Sequence, residues 1–192
     1  LCLMPTIGYR TFTKNSMKKK LATAILSRRS LSAKHLNKFH KHVDPKPPYI
    51  FIPLQVSNDT QLLLNTKVTT LEMIAICLEG EERVVIKPHP VEPFPDFIND
   101  SFLREHDRLS LTSKNTMDLI AESSRVCCIN STVGLEALIL DKEVRFFGNS
   151  VFSSFNEVRL KKYVMSYLID IDFFSSSQLS KVAVKQVYKR LN

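Results

Sequence analysis

The sequence predicts an α/β domain built on a parallel β-sheet, and three observations predict it. Apolar runs rich in β-branched and aromatic residues, at 49–55, 83–86 and 125–129, carry no regular polar alternation, the pattern of strands buried on both faces. Segments with helical spacing or composition fall between and after them, at 69–79, 115–123 and 135–140. The second run leads at once into Lys87-Pro88-His89-Pro90, where two prolines end the strand in a stiff loop. Strands alternating with helices fold as a parallel sheet with right-handed crossovers.

Residues 1–15 show little periodicity. Residues 16–43 have a helical composition, with Leu21, Ile25, Leu31, Leu36 and Phe39 set among Lys, Arg and Ala, and residues 27–32 interrupt the face. Asp44-Pro45-Lys46-Pro47-Pro48 breaks any helix and reads as a linker, so a basic, largely helical arm (1–48) precedes a domain (49–192). The strand at 49–55 opens that domain and ends in a polar turn at 56–60. In 69–79, Leu71, Ile74, Ala75 and Leu78 recur at helical spacing, with Thr69 or Thr70 as N-cap and Gly80 as the stop. After the strand at 83–86 come a short helix or loop at 94–104, a strand at 109–112 and a helix at 115–123, capped by Ser113 or Asn115. The strand at 125–129 leads through Asn130-Ser131-Thr132-Val133-Gly134 into a helix at 135–140, and 144–148 is the fifth strand. Leu179, Val182, Ala183, Val187 and Leu191 mark a last helix, 179–191.

Composition narrows the function. A hydrophobic fraction of 44% with 24% charged residues is that of an ordinary globular domain. No apolar run approaches the roughly 18 residues that span a membrane. The chain opens on Leu1 with no signal-peptide pattern, and the expectation is a piece of something longer. Cys127 and Cys128 are adjacent while Cys2 and Cys77 are isolated, so neither a zinc spacing nor a disulfide framework exists and buried reduced thiols are expected. His35, His40 and His42 do not share one helix face, which argues against a metal site there. The net charge of +8 is concentrated: residues 1–48 hold 11 Lys or Arg against one acid, leaving 16 bases and 18 acids beyond. Such an arm suits anionic lipid or nucleic acid, or is simply a solvated basic helix.

Chemistry gathers at three strand ends. Ligands of open α/β sheets bind beyond the C-terminal ends of the strands, and there the loop after 83–86 presents Lys87 and His89, a cation and an imidazole suited to a phosphate. The plain alternative is a surface histidine beside a solvated lysine. Asn130-Ser131-Thr132 stands where a strand turns into a helix, and N-terminal amides with two hydroxyls make an anion site. Gly134 permits close backbone approach, and Glu136 can accept hydrogen bonds from vicinal hydroxyls such as a ribose. Taken alone this reads first as an N-cap with a favourable charge; paired with Lys87 and His89, the phosphate reading is the stronger. The third end, 55–59, carries Asp59, a carboxylate able to serve as nucleophile or base, or else ordinary turn chemistry.

Three segments together, Ile50-Phe51-Ile52-Pro53-Leu54-Gln55-Val56-Ser57-Asn58-Asp59, Lys87-Pro88-His89-Pro90-Val91-Glu92 and Ile129-Asn130-Ser131-Thr132-Val133-Gly134-Leu135-Glu136-Ala137-Leu138, resemble the bacterial capsule polysaccharide biosynthesis proteins. The resemblance runs from about residue 49 to 148. It implies a Rossmann-like domain similar to the donor-binding half of a GT-B glycosyltransferase. The type implied is a retaining β-Kdo transferase (Kdo is 3-deoxy-D-manno-octulosonic acid), which uses CMP-Kdo and builds a lipid-borne linker for capsule export. By this resemblance His89 contacts the CMP phosphate with Lys87 nearby, Ser131 and Thr132 complete that site, and Glu136 lies near the ribose. Gln55 and Asn130 count among the substrate-binding residues, and Asp59 is the candidate nucleophile. Retention follows from two successive inversions through a covalent glycosyl-enzyme. Cations and a helix N-terminus can stabilise the leaving phosphate, so neither metal nor cofactor is expected. The partners implied are a CMP-activated sugar donor, a lipid-linked saccharide acceptor and, through 1–48, an anionic membrane; nucleic acid is not expected. The place implied is the cytoplasm, peripheral at the inner membrane. Two features depart from the family: residues 1–48 are too few for its N-terminal domain, and the sequence after Gly148 follows its pattern loosely. A CDP-glycerol glycerophosphotransferase-like enzyme and a non-catalytic nucleotide-binding module stand as alternatives.

Overall fold

Tyr49–Pro53 forms β1, Arg83–Lys87 β2, Leu109–Leu111 β3, Arg125–Cys128 β4 and Glu143–Phe146 β5. All pair in parallel, in the order β3-β2-β1-β4-β5. The structure, a computed structural model, describes residues 44–89, 92, 96–168 and 181–191. The helix expected within 16–43 lies outside the described residues. What is described falls into two compact units, 44–154 and, separately, 155–168 with 181–191.

Within the first unit the helices are α1 (Thr60–Asn65), α2 (Thr70–Leu78), α3 (Asp100–Glu105), α4 (Thr116–Glu122) and α5 (Thr132–Ile139). The two-residue period of the strands sends alternate side chains to opposite faces. Ile50, Ile52 and Leu54 pack in one core with Met73, Ile74 and Cys77 of α2 and Leu103 of α3. Tyr49 and Phe51 pack in the other with Leu119 and Ile120 of α4 and Ala137 of α5. This two-sided burial is why the strands read as unbroken apolar runs. Each large side chain buried this way contributes about 1.5–3 kcal/mol. Cys77, Cys127 and Cys128 are buried free thiols, as expected, and Cys77 and Cys127 hydrogen-bond to each other.

Local chemistry sets the helix starts. Thr69 and Glu72 form a reciprocal capping box: the Glu72 amide donates to Thr69 Oγ1 (3.1 Å) and the Thr69 amide to Glu72 Oε2 (2.7 Å). Asn99, Asn115 and Ser131 cap α3, α4 and α5 in turn. Because Ser131 is the cap, α5 starts at Thr132, three residues before the expected 135, and Gly134 lies inside the helix. A Cβ there would come 2.4 Å from the Phe146 ring and 3.0 Å from Cys128 Sγ. The close approach that Gly134 permits is therefore that of α5 to β4 and β5.

The second unit holds α6 (Glu157–Lys162), capped by Asn156 and running into a π-helical turn at Tyr163–Tyr167, and α7 (Lys181–Leu191). The spacing at 179–191 anticipates α7; α6 and the π turn, like α1, have no counterpart among the expected elements. Tyr163 stacks on Tyr167 with ring centroids 5.2 Å apart and meets Phe155 at 5.1 Å. No helix among the described residues is long and apolar enough to cross a membrane.

Gly134→Ala should destabilise the fold by about 1–3 kcal/mol through overpacking against Phe146, read as a lowered urea midpoint. Gly80→Ala, where an added Cβ meets nothing within 4 Å, should leave the midpoint unchanged or slightly raised.

Candidate functional site

The strand order reverses between β1 and β4: the chain steps from β1 out to β2 and β3, then returns to lay β4 on the other side of β1. That reversal opens a crevice beyond the C-terminal ends of β1 and β4, the position where open α/β sheets bind ligands. Gln55 follows β1 and Asn130 follows β4, and the two side chains meet across it. Gln55 Nε2 donates to Asn130 Oδ1 (2.7 Å), and the Asn130 backbone N–H donates to Gln55 Oε1 (3.1 Å). The backbone N–H can only donate, so it fixes which way the Gln55 amide is turned. Two neutral hydrogen bonds of this kind contribute about 0.5–1.5 kcal/mol each.

The loop after β2 joins this crevice from the other edge of β1. Leu54 N donates to Lys87 O (2.9 Å), continuing the ladder past Pro53. Glu92, whose own amide donates to His89 O (3.2 Å), accepts from the Ser57 amide through Oε2 (2.6 Å). Glu92 thereby ties the His89 loop to the β1–α1 loop. It falls within a motif quoted above, yet nothing in the sequence gave it a role. His89 is half-buried at this rim. Asp59 is exposed immediately before α1, its carbonyl accepting from the amides of Leu62 (2.9 Å) and Leu63 (3.0 Å).

Lys87 departs from expectation. It is the last residue of β2 rather than part of the loop, and only 6% of it is exposed. Val85 packs on the face of α4 and α5, and Lys87, two residues on, points the same way. Its Nζ donates to Lys114 O (2.8 Å) and Thr116 Oγ1 (2.9 Å) in the turn between β3 and α4. Burial pushes the Lys87 ammonium below its ordinary value, opposed by the negative charges of Asp118 and Glu136. Glu136, expected near a ribose, is 3% exposed.

The N-terminal turn of α5 is also less open than free amides would make it. Ser131 Oγ accepts from the Val133 amide (3.1 Å), and Ser131 O accepts from Gly134 (3.0 Å). The Ser131 and Gly134 amides also point at the buried Cys128 thiol, whose pKa burial pushes up to about 12. Three of the first four amides are thus engaged within the protein. The hydroxyls of Ser131 and Thr132, both half-buried, form the rest of this side of the crevice. The structure brings Gln55, His89, Asn130, Ser131 and Thr132 to one sheet edge, with Asp59 in the loop beyond β1. It sets Lys87 and Glu136 beneath. Among the described residues no three His, Cys, Asp or Glu side chains cluster as a metal would need. The sequence does contain one Asp-x-Asp, Asp170-Ile171-Asp172, which the expectation of no metal does not count and which lies outside the described residues.

The family model described as capsule polysaccharide biosynthesis protein matches residues 6–155. Protein FixF of Sinorhizobium fredii (strain NBRC 101917 / NGR234) is 34% identical over 119 residues, covering 58% of this chain and 29% of FixF. Among solved structures, the β-Kdo 2,7 transferase of Thermosulfurimonas dismutans KpsC is 19% identical, with a TM-score of 0.45 over 92% of this chain and 52% of that one. The KpsC β-Kdo 2,4 transferase from the same organism is 18% identical, with a TM-score of 0.46 over 79% of this chain and 50% of that one. The chain spans about half the length of these structures and less than a third of FixF.

Two measurements check the site. Gln55→Ala and Asn130→Ala should each lower stability by about 1 kcal/mol, and the double variant should lose less than their sum, with a coupling of at least about 0.5 kcal/mol. Additive losses in urea melts would mean that the two side chains do not act together. The second concerns Lys87. The unfolded chain keeps the lysine proton up to its ordinary 10.5, while the folded chain releases it earlier. In that interval the unfolded chain binds more protons, so raising the pH stabilises the fold. Wild type should therefore gain stability relative to Lys87→Met as pH rises toward 10.5. Parallel pH profiles would show a lysine that titrates normally.

Proposed function

We propose, since this chain belongs to the capsule polysaccharide biosynthesis protein family, that its parallel-sheet unit is the donor-binding half of a glycosyltransferase. The donor is a CMP-activated sugar of the Kdo type, and the acceptor is a lipid-linked saccharide. The observation that carries this reading is the Gln55–Asn130 amide pair at the crevice between β1 and β4, flanked by His89 on one side and by Ser131 and Thr132 on the other. A nucleotide laid across that crevice has its phosphate between an imidazole and two hydroxyls. Lys87 adds positive potential from beneath, partly offset by Asp118 and Glu136.

Asp59, exposed at the start of α1 on the same sheet edge, is the carboxylate for a double displacement. Its oxygen bonds to the anomeric carbon as the bond from that carbon to the phosphate oxygen breaks and CMP leaves. An acceptor hydroxyl then attacks the same carbon, losing its proton to a base or to solvent, and Asp59 is released. Hydrogen-bond donors aimed at the leaving phosphate are the main stabilisation such a step needs. The acceptor is held by a second domain of the same enzyme; the chain spans about half the length of the Kdo transferase structures it matches. The 11 bases of residues 1–48 suit an anionic membrane surface, which would place the enzyme at the cytoplasmic face of the inner membrane where a lipid-linked acceptor is met.

The experiment is a thermal-shift and calorimetric screen of CMP, CDP, UMP and AMP on the full chain and on His89→Ala. Nucleotide at about 100 times its dissociation constant adds roughly 2.7 kcal/mol of apparent stability. Selective stabilisation by CMP, lost in His89→Ala, is the expected result. A preference for CDP would favour glycerophosphate transfer, and a folded chain that binds no nucleotide would overturn the donor-site reading.

A further inference from the structure

Beyond the ends of β1 and β2 stand two loops, one carrying Asp59 and the other His89, and a single carboxylate joins them. In the first loop the Asp59 amide donates to Val56 O (3.0 Å), closing a tight turn over Ser57 and Asn58. Asp59 O accepts from Leu62 (2.9 Å) and Leu63 (3.0 Å), so the start of α1 is built on the same turn. In a turn closed from its first residue to its fourth, the amide of the second makes no bond inside the turn. That amide belongs to Ser57, and it donates to Glu92 Oε2 at 2.6 Å, a contact spanning 35 residues of sequence. The Glu92 amide in turn donates to His89 O (3.2 Å), which tethers Glu92 to the backbone of the imidazole. The β1–β2 ladder runs as far as the bond from Leu54 N to Lys87 O (2.9 Å), and Glu92 continues the tie between the loops with a side chain. Hydrogen bonds to an ionised carboxylate are shorter than neutral ones and roughly twice as strong.

We propose that Glu92 is a positioning residue that couples the two loops: it sets the turn ending at Asp59 against the loop of His89, so that a phosphate held at His89 steadies the loop of the carboxylate. Glu92 touches neither donor nor acceptor in this role. The role rests on the donor-site reading and adds to it a path between the residue that meets the leaving phosphate and the residue that attacks the anomeric carbon. Those two residues follow different strands, and a misplacement of about 1 Å between reacting groups can cost about a hundredfold in rate. The coupling is reciprocal, so a ligand that orders the His89 loop also orders the turn at Ser57.

The test uses the full chain as wild type, Glu92→Ala and Glu92→Gln, with amide exchange read by NMR at Ser57 and Asp59 and the β1 amides reporting global unfolding. Without ligand, Glu92→Ala should quicken exchange at both positions by roughly tenfold beyond any rise in β1, since a hydrogen bond to a charged group is lost. Glu92→Gln, whose Oε1 can accept from the same amide, should restore most of the protection. Calorimetry then fixes the CMP concentration that saturates each protein. Saturating CMP should slow exchange at Ser57 and Asp59 further in wild type and in Glu92→Gln, and should leave it unchanged in Glu92→Ala. Ligand-free exchange in Glu92→Ala equal to that of wild type would overturn the proposal. So would CMP protection of Ser57 and Asp59 that persists in Glu92→Ala, which would mark direct contact between nucleotide and loop. A wild-type chain that binds no CMP would overturn the donor-site reading and with it the coupling to a phosphate, while the ligand-free comparison would separately decide whether Glu92 sets the turn.

Discussion

β1 is closed to water on both faces and paired along both edges, and the architecture of the 44–154 unit follows from that. Tyr49, Ile50, Phe51 and Ile52 are all buried, alternate residues entering opposite cores, so helices must cover the sheet on each side. Parallel neighbours at both edges, β2 and β4, cannot be reached by hairpins. The chain must therefore leave β1 in one direction, build outward, and return. That return creates the crevice, because the loops after β1 and β4 diverge to opposite faces and leave a gap between them. The Gln55–Asn130 amide pair bridges this gap with neutral groups, holding its two sides in register without placing a charge on its floor.

Much of this was legible in the residues. The strands show as apolar runs because both faces are buried, and α2 shows because Thr69 and Glu72 write a capping box ahead of a helical period. What was not legible failed for identifiable reasons. α1 sets Leu62 against the core but is too short to show a period: Leu63 and Leu64 are 63% and 76% exposed, and tertiary bonds such as Asn149 N to Asn65 O at 2.7 Å help locate the helix. Gly134 belongs to a ligand-suggesting motif, but its missing side chain is required by Phe146, which lies twelve residues away in sequence. Nothing local announces that contact.

The site was legible in outline and misleading in depth. Motif order brought the right loops together, yet a motif does not say which of its polar residues face the ligand and which face the protein. For Lys87 a signal did exist. The two-residue period that puts Val85 in a core carries Lys87 to the same face as soon as the strand extends one residue past Ile86. Glu92 went unassigned for the opposite reason. Its partner is the backbone amide of Ser57, and an amide leaves no mark in a sequence.

The thiol at the foot of α5 carries a consequence of its own. Cys128 has no exposed surface, and the Ser131 and Gly134 amides close over its sulfur. A thiolate reacts with alkylating reagents far faster than a thiol, and this group is kept neutral as well as covered. Labelling at this position thus requires the first turn of α5 to lift away from β4. The chain accordingly contains a chemical reporter of its own crevice, one that needs no added fluorophore and whose modification rate measures how often that wall opens.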